Sequence, residues 1–351
     1  MPTQRDVARL AGVSTATVSR VINGRGVVTD DARHRVEQAI DTLQYVPHAG
    51  ARALALQRSG TLGAIIPTLN NAIFAEGINA FEQAARLRGY SFILAVAPDG
   101  RSQQLEQVMR MIERGVDGLL LVGNEHEPVV FDRLEKAAVR HVCTWAFDQR
   151  ARAPNIGFDN ARAMVEVVDH LVELGHYRIG MLAGKQAYND RARQRVQGVM
   201  ARLNHHGIAL PPAHIIELDI SLSKARKAFW DLIDQDISAI ICGNDVAAQG
   251  ALLEALKTGV RIPEDISITG FDDLELSSEL SPALTSVQVN APRMGELAAN
   301  ALMDSVETKC PVQSQELSTQ LVVRETSGQY LPTSIEKSAR HDGFRQRLER
   351  T

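Results

Sequence analysis

Cysteine is scarce in this sequence, and long apolar segments are absent from it. The three cysteines, Cys143, Cys242 and Cys310, are odd in number, far apart and without metal-ligand spacing, so they predict buried reduced thiols in a reducing cytoplasm. No apolar run approaches the roughly 18 residues that a membrane-spanning helix needs. The first residues already carry a helix-capping signal, which leaves no room for a signal peptide. We therefore expect a soluble cytoplasmic protein without a membrane partner.

The common catalytic motifs are missing as well. The sequence has no G-x-x-x-x-G-K-S/T phosphate loop, no H-E-x-x-H metal pair and no G-x-S-x-G nucleophile turn. His205 and His206 are chain neighbours whose side chains diverge, as are Asp272 and Asp273, so neither pair forms paired catalysts. The sequence thus predicts a protein that is not an enzyme and that holds no cofactor and no metal.

Charge is distributed unevenly along the chain. With 351 residues, of which 44% are hydrophobic and 23% charged, the chain exceeds one usual domain, and two or three domains are expected. The net charge is −4, yet residues 1–60 hold eight arginines, no lysine and five acidic residues, which leaves this segment at +3 and the rest at −7. A basic head on an acidic body favours local DNA binding.

The segment from Thr3 to Asn23 has the pattern of two short helices joined by a tight turn. The Thr3 hydroxyl can cap the first helix, Gly12 provides the positive φ that ends it, and Ser14 can cap the second. Each helix has an apolar stripe, formed by Val7, Ala8 and Ala11 in the first and by Val18, Val21 and Ile22 in the second. The pattern predicts a helix-turn-helix, whose second helix enters the DNA major groove. The alternative is an ordinary helical hairpin in a core.

The outward face of the second helix bears on these alternatives. It carries Thr15, Thr17, Ser19 and Arg20, and no acidic residue occurs between positions 7 and 26. A surface that faces phosphate groups is expected to lack negative charge. The composition of this face therefore favours DNA binding over the core hairpin.

The same segment resembles the signature of the lacI family of bacterial regulators, T-x-x-D-V-A-x-x-A-G-V-S-x-x-T-V-S-R-V-x-N. The matching positions are Thr3, Asp6, Val7, Ala8, Ala11, Gly12, Val13, Ser14, Thr17, Val18, Ser19, Arg20, Val21 and Asn23. The resemblance implies a transcription regulator with DNA contacts at Ser14, Thr15, Ala16, Thr17, Arg20 and Asn23. Arg20 is suited to a guanine edge, and the short Ala16 offers only an apolar contact, such as one to a thymine methyl group.

A third helix, from about Thr29 to Leu43, is predicted to complete a DNA-binding domain at residues 1–46. Its apolar positions recur with helical spacing, so one face can close a three-helix core. Arg25, in the link before this helix, either reaches the DNA or is simply solvated.

Residues 47–60 are predicted to form a hinge that is too short to be a stable helix alone. The family resemblance implies that hinge helices from two subunits pair in the DNA minor groove. Arg52 and Leu54 match the family's Ala-Arg-x-Leu, and Leu54 would wedge between central base pairs. The alternative is a linker whose leucines pack on the body.

From residue 61 onward, short apolar runs alternate with amphipathic segments, which predicts an α/β architecture with parallel sheets and right-handed crossovers. The predicted strands are Leu62–Ile66, Phe92–Val96, Gly118–Val122, His141–Thr144, Ile179–Leu182, Ile215–Leu218, Ala239–Ile241 and Ile266–Thr269. The predicted helices are about Phe74–Arg88, Gln103–Arg114, Ala161–Leu174, Arg191–His206, Ser223–Ile233 and Asp245–Thr258. This number of strands suits two doubly wound sheets better than one. The division is predicted near Phe158 and Asp159, where an extended segment leads into a helix, with a second crossing near Asn290, so the predicted N-lobe spans about 61–158 and 291–318 and the C-lobe about 159–290 and 319–330.

This body resembles the periplasmic sugar-binding-protein fold of the same family's regulatory part, and ligands in such folds bind at the carboxyl ends of strands. The resemblance implies effector contacts from Asp148, Phe158, Arg195, Asn244 and Asp272. An arginine, an amide and a carboxylate on one cleft can satisfy several neighbouring hydroxyls, so a sugar, polyol or sugar acid is expected. Simpler roles stay open, namely an ion pair for Arg195, capping for Asn244 and Asp272, and core packing for Phe158.

These patterns and the family resemblance together imply a homodimeric transcription repressor that binds a pseudo-palindromic double-stranded DNA operator under the control of a sugar-like effector. The tail at 331–351 is predicted to be disordered, and it lacks the leucine heptads of the family's tetramerising members, which favours a dimer. The alternative of another class is a soluble carbohydrate-binding protein or sugar enzyme whose helical head makes protein contacts.

Overall fold

The computed structural model describes residues 2–22, 26–46, 58–98 and 101–330. The chain divides into two compact units, Met1–Thr61 with Gly115–Asp117, and Leu62–Arg114 with Gly118–Thr351. The predictions made for Asn23, Arg25, Arg52, Leu54 and the tail at 331–351 fall on positions outside the described residues.

The described residues of the first unit form three helices, α1 (Gln4–Ala11), α2 (Thr15–Ile22) and α3 (Asp30–Leu43). A reciprocal cap begins α1, because the Asp6 N–H donates to the Thr3 hydroxyl at 3.4 Å and the Thr3 N–H donates to the Asp6 carboxylate at 2.9 Å. Gly12 ends α1 with a φ of 61°, and the Thr17 N–H donates to the Ser14 hydroxyl at 3.1 Å. The predicted caps are confirmed. The buried core of the unit consists of Val7, Ala8, Ala11, Val18, Val36 and Ala39.

Asp117 belongs to the same unit and fixes the chain where the predicted hinge ends. One of its carboxylate oxygens accepts from the Ser59 N–H at 2.8 Å, and the other accepts from the Gly60 N–H at 2.7 Å. The Asp117 N–H in turn donates to the Thr61 carbonyl at 2.8 Å. Hydrogen bonds to a charged acceptor are among the strong ones, so this segment is held firmly.

Two six-stranded sheets form the framework of the second unit. The first sheet contains β1 (Thr61–Ile66), β2 (Ser91–Val96), β3 (Gly118–Val122), β4 (Arg140–Thr144), β5 (Asn155–Gly157) and β11 (Gln315–Glu316). The second contains β6 (Ile179–Gly184), β7 (Ile215–Leu218), β8 (Ala239–Cys242), β9 (Ser267–Asp272), β10 (Thr285–Gln288) and β12 (Gln320–Val322). The strand orders are β11-β5-β4-β3-β1-β2 and β12-β10-β9-β8-β6-β7. Only β12 is recorded as antiparallel to its neighbour among the described strands, so the prediction of two parallel doubly wound sheets is confirmed.

Helices cover these sheets. They are α4 (Ala72–Leu87), α5 (Arg101–Glu113), α6 (Pro128–Lys136), α7 (Asn160–Ala163), α8 (Val165–Glu173), α9 (Asp190–His205), α10 (Leu222–Ile233), α11 (Asp245–Thr258), α12 (Glu275–Glu279) and α13 (Ala291–Thr308). Every predicted strand and helix is present with slightly shifted ends, except that the helix predicted at 161–174 is divided at Met164. The sequence patterns missed β5, β10, β11, β12, α6, α12 and α13.

The two sheets define two lobes, which we call the N-lobe for the first sheet and the C-lobe for the second. Up to residue 330, the described chain crosses between them three times, from β5 into α7, from β10 into α13 and from β11 to β12. In each lobe the carboxyl ends of neighbouring parallel strands lie at one edge of the sheet, where ligands bind in open α/β folds. This arrangement places the loops after the strands at the boundary between the lobes.

Helices α4 and α13 of the N-lobe approach so closely that only glycine fits at their contact. A Cβ built on Gly295 would lie 1.9 Å from the Gly77 carbonyl oxygen. Gly295→Val is therefore expected to lower the free energy of unfolding by about 3 kcal/mol, at the upper end of the usual range for overpacking. Urea unfolding of the full chain would measure this change. Arg293→Ala, on the exposed side of α13, is the matched control and should change stability by less than about 0.5 kcal/mol; an equal effect of both would contradict the tight contact.

Candidate functional site

The exposed face of α2 carries the residues predicted to meet DNA. Ser14, Thr15, Ala16 and Arg20 are exposed, whereas Thr17 is partly buried. The Ser14 and Thr17 hydroxyls lie 2.9 Å apart, so both help to start the helix. Arg20 forms no ion pair with any described residue, which leaves its guanidinium available to a ligand.

A cavity of about 440 Å³ lies between the two lobes at the carboxyl ends of the strands. Three of the five predicted effector residues, Arg195, Asn244 and Asp272, line it together. The N-lobe contributes Pro67, Thr68, Asn71, Ile73, Phe74, Pro98 and Trp145, and the other C-lobe residues are Met181, Gly184, Lys185, Ala187, Tyr188, Asn189, Arg191, Ala192, Leu218, Asp219, Ile220 and Gly243. We call this space the cleft.

Arg195, on α9, is held in place by neutral groups. Its Nε donates to the Asn160 side-chain oxygen at 2.8 Å, its Nη1 donates to the Gly243 carbonyl, and its guanidinium lies 3.8 Å from the centroid of the Phe271 ring. The side chain is 9% exposed and forms no ion pair with a described residue. Burial accordingly lowers the pKa of Arg195 to about 10. The simpler role of pairing with an acid on the helix face is therefore wrong.

Gly198 lets α9 bring Arg195 into the cleft. A Cβ at Gly198 would lie 2.3 Å from the Ala161 carbonyl oxygen, so α7 and α9 can touch only because this residue has no side chain.

Asp272 ends β9 and is 3% exposed. Its backbone has a φ of 113°, in the region that disfavours residues with a side chain. Burial raises the pKa of Asp272 to about 7, and the positive charge of Arg195 opposes this rise. The Asn71 Nδ2 of the N-lobe donates to its Oδ2 at 3.4 Å. No described residue forms an ion pair with Asp272, so its carboxyl group is poorly compensated.

Asn244 has both of the roles considered for it. Its Oδ1 accepts from the Ala247 N–H at 2.9 Å and caps α11, while the residue lines the cleft. Because the cap uses Oδ1, the amide nitrogen is the group that remains for a ligand.

Phe158 and Asp148 do not line the cleft formed by the described residues. Phe158 is 2% exposed, and its ring lies 5.9 Å from that of Phe271, so it supports the ring on which Arg195 lies. Asp148 accepts from the Arg150 N–H at 2.8 Å, and its own N–H donates to the Asn155 Oδ1 at 3.1 Å, which makes it a turn residue. Phe158 is therefore a core residue and Asp148 closes a turn, and neither contributes to the lining of the cleft.

The cleft also contains residues that sequence reasoning missed. Asn71 caps α4 by accepting from the Ile73 N–H at 3.3 Å, and it is the N-lobe partner of Asp272. Trp145 is 2% exposed, has a φ of 60°, and its ring nitrogen has no acceptor among the described residues. The position of Asn71 in a loop before a helix was only a weak indication of a ligand-binding residue. Trp145 directly follows a predicted strand, and that position could have identified it.

Beside the cleft, the loop after β3 contacts the start of α9. The Asn124 N–H donates to Asp190 at 2.7 Å, and Arg193 donates to Glu125 at 2.7 Å. Gly123 has a φ of 82°, and a Cβ there would lie 2.2 Å from the guanidinium of Arg191. These contacts join the N-lobe to the C-lobe at this side.

The cysteines are free among the described residues. Cys143 and Cys242 are buried, as predicted, and burial raises the pKa of each thiol. Cys310 is exposed, so the prediction that it is buried is wrong, because it lies in the loop that follows α13. Within the described ranges, no group of histidine, cysteine and acidic residues could hold a metal ion, and no helix there is long and apolar enough to cross a membrane.

Comparisons with known proteins match both units. Residues 3–48 match the family described as bacterial regulatory proteins, lacI family, and residues 168–327 match the periplasmic binding protein-like domain. The HTH-type transcriptional repressor PurR of Klebsiella pneumoniae is 33% identical over 331 residues, which cover 92% of this chain and 96% of that protein. The crystal structure of the lac repressor dimer bound to operator and the anti-inducer ONPF is 28% identical, with a TM-score of 0.83, over 93% of this chain and 99% of that chain. The complex of the transcriptional regulator CelR with cellobiose is 27% identical, with a TM-score of 0.68, over 93% and 100%.

Proposed function

Because this chain belongs to the lacI family of bacterial regulatory proteins, we propose that it is a cytoplasmic repressor that releases its operator when a sugar-like effector fills the cleft. Like its relatives, it is a DNA-binding transcription regulator and not an enzyme. The observation that carries the proposal is that Arg195 and Asp272 are buried, line one cavity and form no ion pair with a described residue.

A hydroxyl-bearing ligand satisfies both groups at once. The Asp272 carboxylate only accepts hydrogen bonds and the Arg195 guanidinium only donates them, whereas each hydroxyl does both. The amide nitrogens of Asn244 and Asn71 supply further donors at the same cavity. A sugar, polyol or sugar acid matches this set, whereas an apolar ligand would leave the buried Asp272 carboxylate without further hydrogen bonds.

Control of DNA binding follows from the fact that the cleft is built by both lobes. A ligand that contacts both lobes favours one arrangement of them, and linkage then makes effector and operator mutually unfavourable if the operator requires the other arrangement. Within this proposal, Arg52 and Leu54 act in the minor groove and Asn23 and Arg25 contact the DNA beside α2.

A homodimer is part of the proposal because the operator is expected to be pseudo-palindromic. The edge strand β2 supports it, since Leu94 and Val96 are 36% and 38% exposed there, and Leu87 at the end of α4 is 80% exposed. The solved lac repressor is described as a dimer on its operator. Light scattering of the purified chain would measure its oligomeric state, and a monomer at micromolar concentration would contradict the proposed homodimer.

The proposed function is tested by selecting bound sequences from a random duplex library and then titrating the selected duplex with the full chain. We expect a pseudo-palindromic site, binding that weakens with salt as phosphate contacts require, and release of the duplex by one of a panel of sugars. A carbohydrate-binding protein or sugar enzyme would instead show no sequence preference for DNA or would turn over a sugar, and either result would overturn the proposal.

A further inference from the structure

A second cavity of about 440 Å³ adjoins the cleft. The two cavities share four lining residues, namely Pro67, Pro98, Tyr188 and Arg191. We call the second space the side cavity. The N-lobe residues that line the side cavity but not the cleft are Ile65, Ile66, Ala97, Gln104, Val122, Glu125, His126, Glu127, Pro128 and Val129. Ligand pockets usually measure roughly 300–1,000 Å³, so each space reaches the lower part of that range and the two together offer room for a ligand of two units.

The polar groups of the side cavity are mostly acceptors. Glu125 and Glu127 contribute carboxylates. His126 lies with Nε2 2.8 Å from the Gly123 carbonyl, and burial lowers the pKa of His126, so the ring is neutral with its proton on Nε2. Its Nδ1 then carries a lone pair that can accept a hydrogen bond, and no described residue donates to it. A ligand unit that enters this space is expected to bring donors.

The charged groups around the side cavity already form ion pairs, which favours an uncharged second unit. The Arg191 guanidinium lies 3.4 Å from Asp190, and Glu125 is paired with Arg193 at 2.7 Å. The apolar part of the wall comes from the ends of β1 and β3, from the segment after β2 and from the start of α6. Hydroxyls on a neutral ring have the donors and the apolar faces that match this lining.

The junction between the two cavities is held in place by both lobes. Tyr188 has a φ of 58° and is 49% exposed, so an unusual backbone conformation presents its ring there. Arg191 is 7% exposed and packs against Gly123, where a Cβ would lie 2.2 Å from its guanidinium. A ligand that passes this point therefore touches the contact between the lobes.

We propose that the effector is a two-unit carbohydrate, such as a disaccharide or a glycoside, with one unit between Arg195 and Asp272 and an uncharged second unit in the side cavity. This inference rests on the proposed function and names the class of effector more narrowly. It also assigns Gln104, Tyr188 and His126 to the recognition of the second unit.

Calorimetry of the full chain with cellobiose, maltose, lactose and melibiose, and with glucose and galactose, tests this inference. At least one disaccharide is expected to bind more than about tenfold more tightly than either of its monosaccharides. Gln104→Trp, which fills the side cavity, should lower the affinity for that disaccharide to that of the monosaccharide and leave monosaccharide binding unchanged. Gln103→Trp is the matched control, since Gln103 is an exposed neighbour that does not line either cavity.

Two results would overturn the inference without affecting the proposed function. They are a monosaccharide that binds as tightly as the best disaccharide, and a disaccharide affinity that Gln104→Trp leaves unchanged in a variant that melts like the parent. A chain that binds none of these sugars would overturn the inference, and the proposal of a sugar-like effector would fall with it if polyols and sugar acids also failed to bind. The failures are thus distinguishable from one another.

Discussion

Asp272→Asn is expected to weaken effector binding by roughly 100-fold, because hydrogen bonds from ligand hydroxyls to a charged acceptor contribute about 1.5–3 kcal/mol each and an amide replaces that acceptor. Operator affinity without effector should stay unchanged, since Asp272 lies in the cleft and the DNA-reading helix belongs to the other unit. Calorimetry with the tightest sugar of the panel, combined with gel-shift titration of the selected operator, measures both quantities. A variant that kept its effector affinity would contradict the role of Asp272.

The pKa of Asp272 gives the same prediction a pH signature. Burial raises this pKa to about 7 from the ordinary 3.8, so below neutrality most of the free protein carries the neutral acid, which is the poorer acceptor. Effector affinity is therefore expected to rise about tenfold between about pH 6 and pH 8 and then to level off. In Asp272→Asn this rise should disappear. A flat profile in the parent protein would show that the carboxylate is not the form that binds.

The stability of the free protein provides a folding control for this variant. A folded pKa above the unfolded value means that the folded chain binds the extra proton, so Asp272 makes the protein less stable as the pH rises from about 4 to about 7. Asparagine has no such charge to bury. Asp272→Asn is therefore expected to melt no lower than the parent at pH 8, and a lower melting temperature would show that the loss of binding reflects damage to the fold.

The sequence allowed the framework of the cleft to be predicted because its strands are short apolar runs between amphipathic helices. Arg195, Asn244 and Asp272 follow strands of one sheet, and parallel strands bring their carboxyl ends to one edge, so their convergence could be anticipated. Asn71 could not be assigned to the same cavity, since it belongs to the other lobe and reaches Asp272 across the cleft. The three chain crossings, predicted near residues 158, 290 and 318, assign segments to each lobe, but they do not determine which side chains of the two lobes face each other across the cleft.

Phe158 and Asp148 show that a residue's position after a strand does not predict whether its side chain reaches the cleft. Both follow a strand end and match family positions, yet Phe158 is packed on Phe271 and Asp148 closes a turn.

The missed strands β11 and β12 have two and three residues, too few to establish an alternation of apolar and polar positions. They are stabilised by pairing with longer strands, which is a tertiary effect.

Arg20→Ala is expected to weaken specific operator binding by about 1–3 kcal/mol for each half-site, the usual contribution of a bidentate contact to guanine. Arg20 is exposed on α2 and forms no ion pair with a described residue, so its removal should not destabilise the unit. The loss should be confined to one base-pair position, where the variant accepts other bases. Titration against the selected operator and its single-base variants measures this change.

Arg33→Ala separates base recognition from charge. Arg33 is exposed on α3 of the same unit, and its removal takes away the same positive charge. If it contacts a phosphate, binding should weaken equally for all sequences and the salt dependence should become shallower by about one counterion per site. If Arg20→Ala behaved in the same way as Arg33→Ala, the side chain of Arg20 would be a phosphate contact, and the sequence preference of the repressor would have to come from Thr15, Ala16 and the DNA's own shape.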